Sequence, residues 1–560
     1  MKTKKIIALV LSLMMLTVFV VGCSNDSSTS TANNDTNNNA TNEPSNNNQE
    51  EPSSEPKIGG DLVVGLSGDP YSLATWNSND MNSSLVMNLV LPALMVTDEN
   101  GNKVPYVVKE YSISDDAKEY TLTIHEGMNW HDGTPFTTAD LEFTAKYVVE
   151  HSLGFGADMY ANVESMEIID DTTIIYRLVQ PQVNFLSQMG FWVDIMPKHV
   201  FESVDDPANF AYDGLGFGPY KVKEYVKGQY YTLERNEDWP LTSELGGPFL
   251  DTITFRVFPD ANALVLAIKN GEVQVSGSSL PVAAQKQLEA DPDNFGVMKV
   301  DSLGFGYLSF NYRNEILADQ NVRLAFAKTI DRNALVNIAL QGGATIMETP
   351  ISPVFKDLVA SNIKYPELDI QGAAGVLEAA GYKDSNNDGV RESADGKALE
   401  FALSYRTTSA NIDSVVNIIK ANAEEAGFKI TLQPLDPATY TDRVVKQGNF
   451  DMNVIEWGVI DDADTSLSTI YRSDSALNFM AYKNEKIDAL LDASQIEPSY
   501  QKRIEIMNEF QEEFVKELPS LNLWVRNNAY GYSKAYGGWD LTPGLYGVLD
   551  VKDIVNVYEK

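Results

Sequence analysis

The sequence predicts an α/β fold with two or more lobes, and two observations carry this prediction. The first is size, because about 500 of the 560 residues follow an N-terminal leader and a polar tract, which exceeds what one hydrophobic core usually holds. The second is the alternation of strand-like and helix-like segments over residues 399–457, which is typical of a parallel sheet with helical crossovers.

The chain begins like a secreted bacterial protein. Three lysines within the first five residues precede an apolar run of 16 residues, 6–21, which is shorter than the roughly 20 residues of a membrane span. The run ends in Gly22-Cys23, which is similar to a bacterial lipobox, and Cys23 is the only cysteine. We expect residues 1–22 to be a signal peptide and Cys23 to carry a lipid; a plain secretory signal is the alternative.

A polar tract follows the leader. Residues 24–57 contain no aromatic and almost no aliphatic side chain, so they cannot bury enough surface to offset chain entropy. We predict that residues 23–57 form a lipid-anchored disordered linker on the outer face of a Gram-positive-like cell membrane. The formal net charge of −37 disfavours nucleic acid and anionic lipid as partners.

The first half of the remaining chain is rich in strand-like segments, such as EYTLTIHEGMNW and TTIIYRLV, and predicts a mixed lobe with an antiparallel element. A helix is predicted over residues 319–343. Asp319 is a plausible N-cap, apolar side chains recur at helical spacing, and Gly342-Gly343 end the helix.

The segment 399–457 predicts a βαβαβ unit. Strands are expected at 399–405, 428–434 and 450–457, with helices between them. Ligands of open α/β sheets bind beyond the carboxyl ends of the strands. Trp457 and Arg406 each stand at such an end, so both are candidates for a binding site.

Four stretches follow in order along the chain: LTIHEGMNWHDGTPFTTADLEFT, GFGPYKVKEYVKGQYYTLERNEDW, LSFNYRN with DQNVRLAFAKTIDRNALV, and NFMAYKNEKIDALLDAS. Together they resemble the family 5 extracellular solute-binding proteins of ABC importers, which include oligopeptide-, dipeptide- and nickel-binding members.

This resemblance implies a two-lobe periplasmic-binding-protein-like fold of type II, the large peptide-binder class, with an extra mixed α/β subdomain in the first lobe. Ligand is expected between lobes that close about a hinge. The implied boundaries are 58–305 for lobe I, with the subdomain inserted at about 82–215, then 306–524 for lobe II and 525–560 for the return to lobe I.

The resemblance also implies peptide-binding residues in the second lobe. Trp457 matches a strand-end tryptophan of the family, and Gly458 and Val459 are the adjoining predicted contacts. Ile460 stands where the family's aspartate is common, so we expect Asp461 or Asp462 to bind the ligand ammonium. The alternative is that these aspartates form a solvated turn or cap the next helix.

Two further contacts follow from the resemblance. Arg406 matches an arginine that binds the ligand carboxylate in dipeptide-binding members, and a planar guanidinium suits a carboxylate. A structural ion pair is the alternative for Arg406. Asn79, Asp80 and Met81 lie in a loop expected to pair with the ligand backbone.

A separate stretch, DSNNDGVRESAD, has the spacing of a calcium-binding loop. Its last position carries aspartate in place of the usual glutamate, and a plain loop is the alternative. The predicted structural Ca²⁺ ligands are Asp384, Asn386, Asp388, the Val390 carbonyl, Glu392 and Asp395.

No motif of the sequence predicts catalysis. The four histidines form no metal-binding pair of the HExxH type, and no nucleophile elbow or P-loop is present. We expect a monomeric, lipid-anchored receptor of an ABC importer, which captures peptides and delivers them to a membrane permease. The alternatives are the same fold binding a nickel chelate or an oligosaccharide, and a peptide-sensing receptor.

Overall fold

The computed structural model describes residues 56–70, 72–77, 80–458 and 462–560. These residues belong to one compact unit, 54–560. The predicted signal peptide, Cys23 and almost all of the predicted linker lie outside the described residues. Within the described ranges, no helix combines the length and the apolar character that crossing a bilayer requires.

The strands of the described chain are short, apart from one of 14 residues. In chain order they are β1 (Asp61–Leu66), β2 (Met95–Thr97), β3 (Lys103–Pro105), β4 (Val108–Ile113), β5 (Glu119–Ile124), β6 (Val163–Ile168), β7 (Thr173–Leu178), β8 (Tyr220–Val226), β9 (Tyr230–Arg235), β10 (Thr252–Val257), β11 (Val275–Ser276), β12 (Phe295–Asp301), β13 (Phe305–Phe310), β14 (Ala344–Ile346), β15 (Glu400–Arg406), β16 (Lys429–Leu435), β17 (Met452–Trp457), β18 (Ser520–Ser533), β19 (Tyr536–Gly537) and β20 (Tyr558–Glu559).

Helices connect these strands. In chain order they are α1 (Met81–Met87), α2 (Thr138–Glu150), α3 (Gly154–Tyr160), α4 (Phe185–Trp192), α5 (Lys198–Phe201), α6 (Thr242–Leu245), α7 (Ala261–Lys269), α8 (Val282–Glu289), α9 (Gln320–Ala327), α10 (Arg332–Ala334), α11 (Ile370–Ala379), α12 (Ile412–Glu425), α13 (Pro437–Tyr440), α14 (Ala463–Tyr471), α15 (Glu485–Ile496), α16 (Tyr500–Glu517) and α17 (Val551–Ile554). Single turns of 3₁₀ helix lie at Thr75–Asn77 and Gly547–Leu549, and π-helical turns at Leu335–Ala339 and Thr441–Lys446.

A 12-stranded sheet runs through the described chain in the order β16-β15-β17-β13-β18-β11-β1-β10-β9-β8, with β12 and β14 also paired to β18. Strand β15 pairs in parallel with both β16 and β17. The βαβαβ prediction for residues 399–457 is therefore confirmed. The next strand, β13, is antiparallel to β17, so the sheet is mixed.

The long strand β18 links two separate hydrophobic cores. Its first residues pair with β13 and β14, and its last residues pair with β12 and β11. One core gathers buried side chains from residues 305–525, and a second gathers them from 62–275 and 530–557. This distribution is the physical basis for two lobes, whereas the exact predicted boundaries stay a prediction.

A four-stranded antiparallel sheet in the order β4-β5-β7-β6 belongs to the second of these cores. Strands β5 and β7 alternate buried and partly exposed side chains, as expected for a sheet that covers a core with one face. The antiparallel element predicted for the first half of the chain is thus confirmed.

The single helix predicted over residues 319–343 is wrong in its middle. Asp319 caps α9 as predicted, but α9 ends at Ala327 and a second helix begins after Asp331. The Asp331 carboxylate accepts a hydrogen bond from the Ala334 amide at 2.8 Å. A side chain that accepts from a free amide in this way starts a new helix. The apolar spacing of the sequence runs on without interruption and therefore does not reveal the break.

Gly306 on β13 allows a close contact beside the end of β17. A Cβ at Gly306 would lie 2.2 Å from the Trp524 ring, so only glycine leaves room for that indole. The Trp524 indole donates to Glu456 Oε1 at 2.9 Å, and Arg526 Nε donates to the same oxygen at 2.6 Å. These bonds hold the strand end that carries Trp457 against the strand that joins the two cores.

Candidate ligand-binding site

A cavity of about 610 Å³ lies between segments of the two cores. Trp457 and α14 contribute from the core of residues 305–525, and the remaining walls come from the other core. The lining residues are Thr75, Trp76, Asp80, Met81, Ser84, Val148, Leu153, Gly154, Gly156, Met159, Gln188, Phe191, Trp192, Val193, Asp194, Trp457, Thr465, Ser466, Thr469, Leu545 and Tyr546. Its size falls in the range typical of small-molecule and peptide side-chain pockets. We call it the aromatic cavity.

A second cavity, of about 410 Å³, adjoins the first, because Met81 and Leu545 line both. Its other walls are mostly small and polar. They are Ser67, Asn82, Leu85, Gly277, Ser278, Ser279, Ser302, Leu303, Gly458, Asn528, Tyr530 and Gly544. We call it the serine cavity.

Hydrogen bonds join the two cores at the rim of the aromatic cavity. Thr465 Oγ1, on α14, accepts from the side chains of Asn184 and Gln188, the latter at 3.1 Å. The Val183 amide donates to the Gln495 carbonyl at 2.9 Å. These contacts hold the two cores together on this side of the cavity.

A second set of contacts joins the cores at another point. Tyr500 Oη donates to Asn102 Oδ1 at 2.9 Å, and Lys356 Nζ donates to the Glu99 carbonyl at 2.7 Å. None of these four residues lines either cavity. These contacts support the closed arrangement without touching the space a ligand would fill.

Four of the predicted ligand contacts converge on the cavities from opposite cores. Trp457, Asp80 and Met81 line the aromatic cavity, and Gly458 and Met81 line the serine cavity. Asp80 is also the N-cap of α1, where its carboxylate accepts from the Asn82 and Ser83 amides. Asn79, Val459 and Asp461 lie outside the described residues.

Asp462 has another role in this structure. Its side chain is the N-cap of α14, accepting from the Thr465 amide at 3.1 Å. Its other oxygen lies 3.9 Å from Arg503, which also binds the buried Asp464 at 2.9 Å. Asp462 lines neither cavity. The helix-cap alternative therefore describes its position, and an ammonium contact by Asp462 stays a prediction that this geometry does not favour.

Arg406 ends strand β15, and its neighbours on β17 place it at the same sheet edge as Trp457. It lines neither cavity. Its Nε is buried and has no hydrogen-bond partner among the described residues. No carboxylate of the described chain lies within ion-pair distance of it, so the structural ion pair is not seen there. The carboxylate contact stays a prediction.

Asp194 is a cavity residue that the sequence reasoning missed. It lies in the loop between α4 and α5, half-buried, and accepts a hydrogen bond from the Thr75 hydroxyl. Burial raises the pKa of Asp194 to about 6, and the Thr75 hydrogen bond only partly opposes that rise. The available signal was an acidic residue within an otherwise apolar run, GFWVDIMP.

The aromatic walls around Asp194 were also missed. Trp76 packs edge-on against Tyr212 with ring centroids 4.8 Å apart, and Phe191 lies 5.9 Å from Tyr546. The Trp76 indole nitrogen is buried and has no hydrogen-bond partner in the described part of the chain. These rings come from segments far apart in sequence, and no spacing rule connects them.

The predicted calcium loop is only partly assembled. Asp384, Asp388 and Glu392 each bring an oxygen within 4.8 Å of the others. Asp395 instead accepts from the Ser393 hydroxyl and lies 3.4 Å from Lys397, so its place in the ligand set stays a prediction. Asn386 and the Val390 amide both bond to Asp388. The loop follows α11 and precedes β15, without a helix pair, and a structural calcium stays a prediction.

Comparison with known proteins places these features in context. The sequence profile of the family described as bacterial extracellular solute-binding proteins, family 5 Middle, matches residues 102–478. The oligopeptide-binding protein AppA of Bacillus subtilis (strain 168) is 27% identical over 566 residues, covering 98% of this chain and 99% of that protein.

Solved structures show the same architecture. AppA from Bacillus subtilis in complex with a nonapeptide has a TM-score of 0.67 at 25% identity, covering 90% of this chain and 100% of that chain. NikZ from Campylobacter jejuni in complex with Ni(L-His) has a TM-score of 0.69 at 23% identity, covering 89% and 99%. The predicted type II two-lobe fold class is confirmed.

Proposed function

Because this chain belongs to family 5 of the bacterial extracellular solute-binding proteins, we propose that it captures peptides in the cleft between its two cores and delivers them to the permease of an ABC importer. The observation that carries the proposal is the pair of adjoining cavities, one aromatic and one rich in hydroxyl groups. The full-length similarity to an oligopeptide-binding protein supports the same ligand class.

The chemistry of the two cavities suits the two parts of a peptide. A peptide backbone carries donors and acceptors that need partners when they leave water. Serine hydroxyls and the asparagine amides of the serine cavity can supply both. Side chains need room and apolar walls, which the aromatic cavity provides.

The proposed role is binding without catalysis. No histidine, cysteine or lysine is among the described residues that line the two cavities. Thr75 is a hydroxyl beside a carboxylate, but its hydrogen bond goes to Asp194 directly, without the intervening base that activates a nucleophile. Closure of two lobes around the ligand would then serve presentation to the permease.

The test of peptide capture is mass spectrometry of ligands that the purified protein retains and releases on denaturation. We expect peptides. Competition among a peptide mixture, cellobiose and a nickel–histidine chelate then ranks the solute classes by displacement. Retention of the chelate or the sugar, with no displacement by peptides, would contradict the proposal.

Variants of the predicted ammonium anchors test how the peptide is held. Asp461→Asn and Asp462→Asn are expected to weaken binding of free-amine peptides while sparing N-acetylated ones, if either carboxylate binds the ligand ammonium. Asparagine is also a good N-cap, so the exchange at Asp462 keeps α14 intact and isolates the charge. Unchanged affinity of both variants for both peptide forms would remove these anchors.

We also propose that a lipid on Cys23 holds the receptor at the outer face of the membrane, with residues 24–57 as the tether. The lipobox-like ending of the apolar run supports this. Cys23→Ser is expected to release the protein from the membrane fraction into the medium. Equal membrane association of the variant and the wild type would contradict the lipid anchor.

A further inference from the structure

The aromatic cavity contains a carboxylate that has no charge partner among the described residues. Two aspartates line it, Asp80 and Asp194. Asp80 caps α1 with both oxygens. Asp194 accepts a hydrogen bond from Thr75, and no Lys, Arg or His of the described chain lies within ion-pair distance of it. No cation takes part in setting its protonation either, because burial and Thr75 account for its shifted pKa.

A half-buried carboxylate with no cation beside it is costly in a largely apolar cavity. Helix capping does not explain it, since Asp194 lies in the loop 193–197 between α4 and α5. Tyr212 and Tyr546 are close enough for the charge of Asp194 to contribute to raising the pKa of both phenols. The site therefore concentrates negative potential in the aromatic cavity, whose opposite wall is formed by Trp457 and α14 of the core of residues 305–525.

The walls fit a particular kind of group. Three indole rings, Trp76, Trp192 and Trp457, line the cavity with Phe191, Tyr546, Met81 and Met159. Indole faces attract cations. Long basic side chains combine an apolar methylene stem with a charged tip, which matches apolar walls that end at a carboxylate.

Building on the proposed function, we propose that Asp194 binds the cationic tip of a lysine- or arginine-type side chain of the captured peptide. The methylene stem would run along the tryptophan walls of the aromatic cavity. The peptide backbone would lie in the serine cavity. This assigns a preference for basic residues to Asp194, in the core of residues 62–275 and 530–557, and not to the predicted ammonium anchors Asp461 and Asp462.

Two other occupants fit less well. An α-ammonium would bring the peptide backbone with it into the aromatic cavity and against its indole and methionine walls, whereas the serine cavity next to it has the more polar walls for a backbone. A hard metal ion requires several oxygen ligands. Asp80 and Asp194 are the two carboxylates of the described lining, and Asp80 already accepts from two amides of α1, so the cavity supplies few anionic oxygens for such an ion.

The experiment uses the purified full protein and synthetic peptide libraries of several lengths. One position in each library carries lysine, norleucine, arginine or citrulline, so that each basic residue is compared with a neutral counterpart of similar shape. Retained peptides are quantified by mass spectrometry. We expect the wild type to favour each basic peptide over its neutral counterpart by about tenfold.

Two variants test the residue. Asp194→Asn keeps a hydrogen-bond acceptor for Thr75 and is expected to abolish the preference while still retaining norleucine peptides. Asp205→Asn changes the net charge equally at an exposed position outside both cavities, and it is expected to keep the preference. A preference that persists in Asp194→Asn would overturn the proposal.

The remaining outcomes are decided by the wild type alone. Equal retention of basic and neutral peptides would overturn this inference and leave peptide capture intact. A preference that depends on a free amino terminus and is unaffected by the basic position would assign the cavity to the α-ammonium, against our proposal. Retention of no peptide at all would overturn the proposed function, and this inference with it.

Discussion

Asp194 shows how much of this site depends on the surroundings of one residue. In water its carboxyl would titrate near the ordinary aspartate value, whereas burial in the aromatic cavity raises its pKa to about 6. Among the described residues, no basic side chain contributes to the pKa of Asp194. Tyr212 and Tyr546, which face it, stay neutral because burial raises their pKa, and Asp80 lines the same cavity.

Because of this raised pKa, we predict that the stability difference between the wild type and Asp194→Asn depends on pH. Between about pH 4 and pH 6 the folded protein binds more protons at Asp194 than the unfolded chain does, so ionisation costs stability as the pH rises. Asp194→Asn removes this cost. We expect the melting temperature of the ligand-free variant to match the wild type near pH 4 and to exceed it by about 1–3 °C at pH 7 to 8.

Thermal unfolding of both proteins across that pH range checks this prediction. Asp205→Asn serves as the control, since its carboxylate is exposed and outside the cavity. A wild type that is more stable than Asp194→Asn at pH 8 would show that the ionised carboxylate is stabilised by the fold, contrary to the expectation.

At the scale of single helices and strands, α14 connects the predicted site to the closure contacts. Its N-cap is Asp462, its first turn carries the buried Asp464, and Thr465 receives hydrogen bonds from the other core. Arg503 neutralises this end of the helix through Asp464, which accepts from both Nε and Nη2. The position of Thr465 at the cavity thus depends on how the helix begins.

We predict that removing the Asp462 N-cap of α14 lowers the stability of the protein. Asp462→Ala leaves an amide of the first turn of α14 without its partner, so we expect the free energy of unfolding to fall by about 1 kcal/mol. Asp462→Asn retains the cap and should stay within a few tenths of a kcal/mol of the wild type. Urea unfolding of the three proteins measures both differences, and equal losses in the two variants would indicate that the charge, not the cap, stabilises the helix.

At the scale of the whole molecule, strand β18 joins the two cores, and side-chain contacts across the cleft hold them together. The contact between Tyr500 and Asn102 lies away from both cavities. It can therefore change the balance between open and closed forms without altering the ligand's surroundings. A ligand binds with lower apparent affinity when the binding-competent state of its receptor is less populated.

Tyr500→Phe is accordingly expected to raise the Kd of a captured peptide by about twofold to fivefold, because one hydrogen bond of the closed form is lost. The increase should appear mainly in the dissociation rate. Tyr111→Phe removes a hydroxyl of similar exposure on β4 and is the matched control. Isothermal titration and stopped-flow measurements test this, and equal affinities of all three proteins would show that the Tyr500 contact does not favour closure.

The fold could be predicted from the sequence where local patterns and tertiary structure agree. The βαβαβ unit was predictable because strand-like and helix-like spacings alternate along residues 399–457 and Gly427, with a positive φ, follows the first helix. The break after Ala327 was not, because the apolar spacing runs on through it and only the Asp331 side chain decides that a new helix begins.

The candidate site was likewise predictable from the sequence only in part. Sequence alone determined which strand end carries Trp457 and Gly458, since this follows from local patterns and the family resemblance. The predicted loop around Asp80 is different in the structure, where Asp80 caps α1 and Met81 is the first residue of that helix. Only the tertiary structure decided that Asp462 caps a helix, that Arg406 stays outside both cavities and that Asp194 enters the aromatic one. The physical reason is that a cavity is formed by side chains from segments distant in sequence, and its shape and charge arise only when the two cores pack against each other.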